Sequence, residues 1–94
     1  MEYGNFGLAA AGLKEGRRVS RWSWMTDNRS IFLLPAASVP IVNIHTEPLR
    51  TIAERNGGMV ECLAAIREVT STGAVRTGWV PTVDDLLADD WYIC

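Results

Sequence analysis

Short turn-forming segments interrupt this sequence at close intervals, and they limit the chain to short helices and strands. Gly16 suits the left-handed backbone that ends a helix, and the polar residues 25–30 read as a turn. Pro35 stops an apolar run and opens an irregular stretch, residues 36–45. No repeat or linker divides the chain, so we expect residues 1–94 to form a single domain with a modest core.

Two short helices are predicted, and each has a recognisable start. Residues 5–16 form the first, with the Asn5 side chain accepting an N–H group of the first turn. The second follows Thr46 as its cap, with Pro48 where the missing N–H costs nothing. Residues 82–87 add one further helical turn.

The remaining apolar patterns have the period of strands. Residues 17–24 alternate, and residues 31–34 are all apolar, which predicts a strand buried on both faces. Residues 59–69 and 74–80 read as two strands joined by a hairpin turn, and residues 91–93 as a short last strand. We therefore predict an α+β fold: a small, mainly antiparallel sheet with two short helices packed on it.

Composition and charge exclude several classes of function. The net charge of −2 argues against a general binder of nucleic-acid polymers, which would show a basic surface. Cys62 and Cys94 lack CxxC spacing and read as reduced thiols, and His45 is the only histidine, so no metal site is expected. We see no signal peptide, no apolar run of membrane-spanning length and no catalytic motif. We expect a cytoplasmic protein that is not an enzyme and needs no cofactor.

The end of the chain combines tryptophans with acidic residues. Thr82 and Asp85 have the spacing of a capping box, in which each side chain accepts the other's backbone N–H. Asp85 can therefore cap a helix, or it can bind a ligand. Trp91 is predicted to lie in the core, whereas Trp79, at a strand end, suits core and ligand wall equally. Asp89 and the acid that follows it read as a solvated turn.

Strand alternation in residues 17–24 places Trp22, Trp24 and Arg18 on one face of the sheet. Indole rings stack on purines, and a guanidinium group grips phosphate through its fixed fork of donors. Such a face suits a planar anionic ligand. The alternative is that one tryptophan covers the core and the other pairs across strands. The same alternation puts Arg21 on the opposite face, where it can pair with the acidic tail.

Three blocks of the sequence, "FGLAAAGLKEGRRVSRWSW", "IFLLP" and "GWVPTVDDLLADDW", resemble a small phage-associated family. This family includes the second Thoeris anti-defence protein, which acts as a sponge for immune signals. The matching elements are Val19, Arg21 and Trp24 near the start. At the end they are Trp79, Thr82, Asp85, Leu87, Ala88, Asp90 and Trp91.

The resemblance implies that the chain binds a nucleotide without cleaving it. The implied ligand is a cyclic ADP-ribose isomer made by a bacterial TIR enzyme, with cyclic dinucleotides as a further ligand class of some relatives. The implied assembly is a homo-oligomer, a tetramer, in the host bacterial cytoplasm. We predict that Trp24 and Trp79 provide the stacking surface for this ligand and that Arg21 contacts its phosphate. Thr82 and Asp85 are predicted to make polar contacts to the ribose or base. The alternative function is a small structural or protein-interaction module of phage origin with no nucleotide ligand.

Overall fold

The computed structural model describes residues 2–94, which form two compact units. One unit contains residues 2–34 and 65–94, and the other contains residues 35–64. The elements in chain order are α1 (Phe6–Lys14), β1 (Val19–Arg21), a 3₁₀ helix (Trp22–Asp27), β2 (Ser30–Leu34), β3 (Ala37–Pro40), a second 3₁₀ helix (Ile41–Asn43), α2 (Leu49–Arg55), β4 (Met59–Cys62), β5 (Ala65–Val69), β6 (Val75–Thr77), α3 (Val83–Leu87) and β7 (Trp91–Ile93).

The larger unit is built on a five-stranded sheet in the order β6-β5-β2-β1-β7. Every pair of neighbouring strands is antiparallel, with Val19 of β1 opposite Ile31 on one side and Ile93 on the other. The buried core of this unit comprises Ala9, Leu13, Val19, Trp24, Ile31 and Trp91. The predicted α+β class with a mainly antiparallel sheet is confirmed.

Helix α1 packs closely on this sheet, and its ends follow the predicted signals. Asn5 Oδ1 accepts the Leu8 N–H at 3.3 Å, and Gly16 has a φ of +79° just beyond the helix. A Cβ atom at Gly12 would lie 2.9 Å from a Val19 methyl carbon and 3.2 Å from Ile93. This glycine weakens the isolated helix, but it permits the close approach of α1 to β1 and β7.

The smaller unit has its own sheet and core. Strands β3 and β4 pair antiparallel, with Val39 opposite Val60, and α2 belongs to the same unit. Its buried residues are Ile44, Ala53 and Val60. This unit therefore depends on a much smaller core than the five-stranded unit, which buries two tryptophans.

Several predicted boundaries are wrong, and in each case tertiary packing overrides the local pattern. The strand expected over residues 17–24 ends at Arg21, and the one expected over residues 59–69 is split into β4 and β5, which belong to different sheets. The stretch 36–45 is not irregular throughout, since it contains β3.

The predicted start of α2 is also wrong. Thr46 does not cap the helix; the Glu47 carboxylate instead accepts the Thr51 N–H at 3.2 Å. In the apolar run 31–34, Ile31 is fully buried, but the three residues after it are only half-buried. The hairpin between β5 and β6 and the last strand, β7, are confirmed. The single domain expected for residues 1–94 remains a prediction.

Candidate functional site

The N-terminus of α3 carries the predicted capping box. Thr82 Oγ1 accepts the Asp85 N–H at 3.1 Å, and Asp85 Oδ2 accepts the Thr82 N–H at 2.8 Å. Asp85 is only 6% exposed. Both side chains thus hold the backbone at the start of this short helix, as the spacing predicts.

Three tryptophans form a contiguous group beside this turn, which we call the tryptophan cluster: Trp24, Trp79 and Trp91. The rings meet edge to face, with centroids 5.1 Å apart for Trp24 and Trp91 and 6.0 Å apart for Trp24 and Trp79. Trp91 is fully buried, and its Nε1–H donates to the Asp85 carbonyl at 2.8 Å. The prediction that Trp91 lies in the core is confirmed, and it ties α3 to that core.

Arg21 connects the capped turn to the loop before β7. Its Nη1 lies 2.9 Å from Asp85 Oδ1, and its Nε lies 2.8 Å from Asp90 Oδ1. The pairing with the acidic tail that the sequence suggested is confirmed. The solvated turn expected around Asp89 is wrong for Asp90, because the Asp90 carboxylate also accepts the Ser23 N–H at 3.1 Å.

The interaction between Arg21 and Asp90 shifts the pKa values of both side chains. Desolvation opposes the charge on Arg21, but hydrogen bonds from its side chain to Asp90 and Asp85 outweigh burial and raise the Arg21 pKa. Burial likewise tends to raise the pKa of Asp90. Hydrogen bonds from Arg21 and Ser23 more than compensate, so the Asp90 pKa lies below its ordinary value.

The five predicted ligand-binding residues are close together in this part of the fold. Thr82 bonds Asp85, Asp85 bonds Arg21, and the Arg21 guanidinium carbon lies 5.9 Å from the centroid of the Trp24 ring. Trp24 in turn contacts Trp79. The structure therefore brings all five together, and their binding of a ligand stays a prediction.

The side chains of residues 17–24 do not alternate between two faces of the sheet, so this prediction is wrong. Trp22 and Trp24 do not share a face with Arg18, because the chain leaves the sheet after Arg21 and turns into a 3₁₀ helix. Trp24 is 6% exposed, whereas Trp22 is 61% exposed. The Arg18 side chain donates to Ser30 Oγ at 3.1 Å instead.

Arg29 is a residue of this region that the sequence reasoning missed. Its guanidinium carbon lies 4.3 Å from the centroid of the Trp24 ring, the shortest such distance among the described residues. Its Nε donates to the buried carboxylate of Glu68 at 2.8 Å, and Arg76 approaches the other oxygen of Glu68 at 3.3 Å. The contact between Arg29 and Glu68 follows from the pairing of β2 with β5, in which Ile31 lies opposite Glu68. This register is known only once the strands are seen to pair.

Other chemistry is sparse in the part of the chain that the structure describes. His45 is exposed, and Cys62 and Cys94 are free thiols. Within residues 2–94 no three histidine, cysteine, aspartate or glutamate side chains are grouped to hold a metal ion. None of the helices described has the length and apolar character required to cross a membrane.

The chain is thus a small α+β domain whose most distinctive feature is a largely buried group of tryptophan rings packed against two arginines. Residues 4–94 match the Tad2-like family, the Thoeris anti-defense 2-like domain, and the chain belongs to this family. The membership confirms the family resemblance of the sequence and supports a role in countering Thoeris defence. This family is not known as a family of enzymes. A comparison with curated proteins finds no match.

Proposed function

We propose that this protein binds and sequesters a bacterial nucleotide immune signal, a cyclic ADP-ribose isomer, without cleaving it. The observation that carries the proposal is the position of Arg29 over the Trp24 ring, within a family of Thoeris anti-defence domains. A nucleotide presents a planar base and anionic phosphates, which match indole surface and guanidinium donors. Sequestration requires these contacts and no reacting group.

Arg29 is better suited than Arg21 to contact a phosphate. The Nε and Nη1 groups of Arg21 are already engaged by two aspartates. Arg29 uses only its Nε for Glu68, and within residues 2–94 its Nη atoms have no hydrogen-bond partner. Its side chain is 30% exposed, compared with 16% for Arg21. We therefore add Arg29 to the proposed ligand-binding residues, and we assign to Arg21 chiefly the positioning of Asp85 and Trp24.

Self-association is part of the proposal, because Trp24 and Asp85 are each only 6% exposed in the isolated chain. A ligand pocket formed between subunits would add surface that one chain does not supply. Large apolar side chains on and before α3 are exposed and support such contacts: Val80, Val83, Leu86 and Leu87. The homotetramer implied by the family resemblance is the assembly we propose, in the host bacterial cytoplasm.

Sequestration can be distinguished from catalysis by recovering the ligand. The protein is incubated with the cyclised ADP-ribose signal, separated from free ligand, and then heated to unfold it. Release of intact ligand is expected. Release of a cleaved product would instead make the protein an enzyme, and no retention would exclude this ligand class. Cyclic dinucleotides form the second arm of the experiment, since one binding surface can serve both nucleotide types.

A charge-matched pair of variants tests the site. Arg29→Gln removes the guanidinium above Trp24, and we expect some loss of stability but retained folding, because Arg76 still pairs with the buried Glu68. Binding should weaken roughly 10- to 100-fold, because a hydrogen bond to a charged group contributes about 1.5–3 kcal/mol. Arg17→Gln, at an exposed position, removes the same charge and is expected to leave the dissociation constant unchanged. Calorimetric titration of both variants measures this. Equal weakening by both would point to general electrostatic attraction instead of a contact.

The alternative function is a structural or protein-interaction module without a nucleotide ligand. It predicts that neither the unmodified protein nor the Arg29→Gln variant binds a nucleotide. Trp24→Ala is a poor test between the two readings, since Trp24 belongs to the buried core and its truncation damages folding in either case. Trp24→Phe retains most of the apolar volume and is the more informative change.

A further inference from the structure

A second surface of the larger unit has the chemistry of a cation site. An open pocket of ≈ 350 Å³ is lined by Tyr3, Trp22, Asp89 and Asp90. None of the five residues predicted to bind the nucleotide lines it. Its volume lies at the lower end of the range for small-molecule sites, which run from ~300 to ~1,000 Å³.

Backbone hydrogen bonds hold the walls of this pocket, which we call the Tyr3–Trp22 pocket. Gly4, next to Tyr3, exchanges two bonds with Trp91, at 2.8 and 3.0 Å. The Trp22 N–H donates to the Asp90 carbonyl at 2.9 Å. The Tyr3 ring also meets Tyr92 edge to face, with centroids 5.7 Å apart. A ligand would therefore meet rings whose backbone is already positioned, which lowers the entropic cost of binding.

The charge of the pocket favours a cation over an anion. Asp90 has its carboxylate engaged by Arg21 and by the Ser23 N–H. Asp89 is exposed, and within residues 2–94 its carboxylate has no hydrogen-bond or ion-pair partner. Among residues 2–94, no arginine or lysine lines the pocket. A phosphate would be repelled here, whereas a positive group would have a carboxylate for its charge and aromatic faces for its alkyl surface.

The large exposure of Trp22 supports the same conclusion. A tryptophan that is 61% exposed contributes little to the core, yet it lines the same pocket as Tyr3 and Asp89. Aromatic rings beside carboxylates are the arrangement that recognises alkylated ammonium groups. Neither the tryptophan cluster nor the capping box requires this combination.

We propose that the Tyr3–Trp22 pocket binds a small organic cation of the alkylammonium class. Trp22 and Tyr3 provide the aromatic surface, and Asp89 provides the counter-charge. The site is separate from the proposed nucleotide site and differs from it in the sign of the ligand charge.

The probe for this site is tetramethylammonium, with the neutral molecule tert-butanol as its uncharged match in size. Binding is followed by the chemical shift of the Trp22 indole N–H in ¹⁵N-labelled protein, assigned with the Trp22→Phe variant. We expect a saturable shift with tetramethylammonium, and an affinity for tert-butanol that is at least 10-fold lower. Equal affinity for both would overturn the proposal, because the pocket would then be merely apolar. The absence of any saturable shift would overturn it as well.

Two exposed aspartates provide a matched pair of variants. Asp89→Asn removes the proposed counter-charge, and we expect it to weaken tetramethylammonium binding at least 5-fold. Asp84→Asn removes a carboxylate that is also exposed but does not line the pocket, and this variant should bind tetramethylammonium with the dissociation constant of the unmodified protein. If both variants weaken binding alike, the cation is held only by the net surface charge. Both positions are exposed, so the fold is expected to survive either change.

Discussion

Trp22 and Trp24 stand two residues apart, yet they lie in opposite environments. Trp24 is 6% exposed and joins the tryptophan cluster, whereas Trp22 is 61% exposed and lines the Tyr3–Trp22 pocket. In a strand, residues two apart share a face; in a 3₁₀ helix, with three residues per turn, they point in different directions. The change of backbone after Arg21 therefore divides two similar side chains between a core and a surface.

The comparison predicts a large difference in the free energy of unfolding between tryptophan truncations. Trp91→Ala removes a fully buried ring that contacts both other members of the tryptophan cluster and bonds the Asp85 carbonyl. We expect it to destabilise the protein by about 3–5 kcal/mol. Trp22→Ala should cost less than about 1 kcal/mol, because the ring is mostly in water. Urea unfolding of both variants measures this. Similar losses would mean that the Tyr3–Trp22 pocket is structurally as important as the cluster.

A second comparison of buried and exposed side chains is offered by the neighbouring residues Asp85 and Asp84, and a smaller difference in stability is expected. Asp85→Asn removes a buried charge that pairs with Arg21 and completes the capping box, so we expect a loss of about 1–3 kcal/mol. Asp84→Asn, in the same helical turn but exposed, should change stability by less than ~0.5 kcal/mol. Thermal unfolding in parallel separates the two. If Asp84→Asn proved as damaging, the helix dipole and not the Arg21 pair would be the main stabilising effect.

The smallest expected effect is the pH dependence of stability that arises from Asp90. This residue lines the Tyr3–Trp22 pocket and also pairs with Arg21 beside the tryptophan cluster. The pKa of Asp90 is lowered in the folded protein from an ordinary value of 3.8, chiefly by Arg21 against the opposing effect of burial. The charged form therefore favours folding, and this contribution is present above about pH 3.8. It is lost as the pH falls from there through the lower folded value.

The test compares Asp90→Asn with the unmodified protein in acid. The variant should lose less stability over that pH range, by up to ~1 kcal/mol for such a partly exposed pair. Denaturant unfolding at several pH values below 5 measures the two slopes. Parallel slopes would show that the Arg21–Asp90 pair does not contribute to the acid sensitivity.

Local chemistry was sufficient to predict the ends of several elements. Asn5 caps α1, Gly16 follows it with a positive φ, and Thr82 and Asp85 form the capping box. These features depend on groups three or so residues apart, and no distant contact is needed to form them. The prediction failed at Thr46, where the Glu47 carboxylate takes the expected role.

The candidate site was predictable only in part for a related reason. The grouping of Arg21, Trp24, Trp79, Thr82 and Asp85 was inferred from family resemblance, and the structure brings them together. Strand alternation, by contrast, placed Arg21 on the side opposite Trp24, because the pattern of residues 17–24 resembles a strand throughout. The polar residues 25–30 predicted a turn before β2, but the position of Arg29 over Trp24 also depends on the preceding 3₁₀ helix, which no local pattern showed.

The sequence determined the family through its resemblance in three blocks. It also determined the class of fold, the caps of α1 and α3 and the core position of Trp91. These follow from side-chain polarity and from hydrogen bonds between near neighbours. Only the tertiary structure decided which sheet takes β4 and which takes β5, where β1 ends, and which of Trp22 and Trp24 is buried. The physical reason is that burial and strand register depend on partners far along the chain, and those partners are set by how the whole core packs.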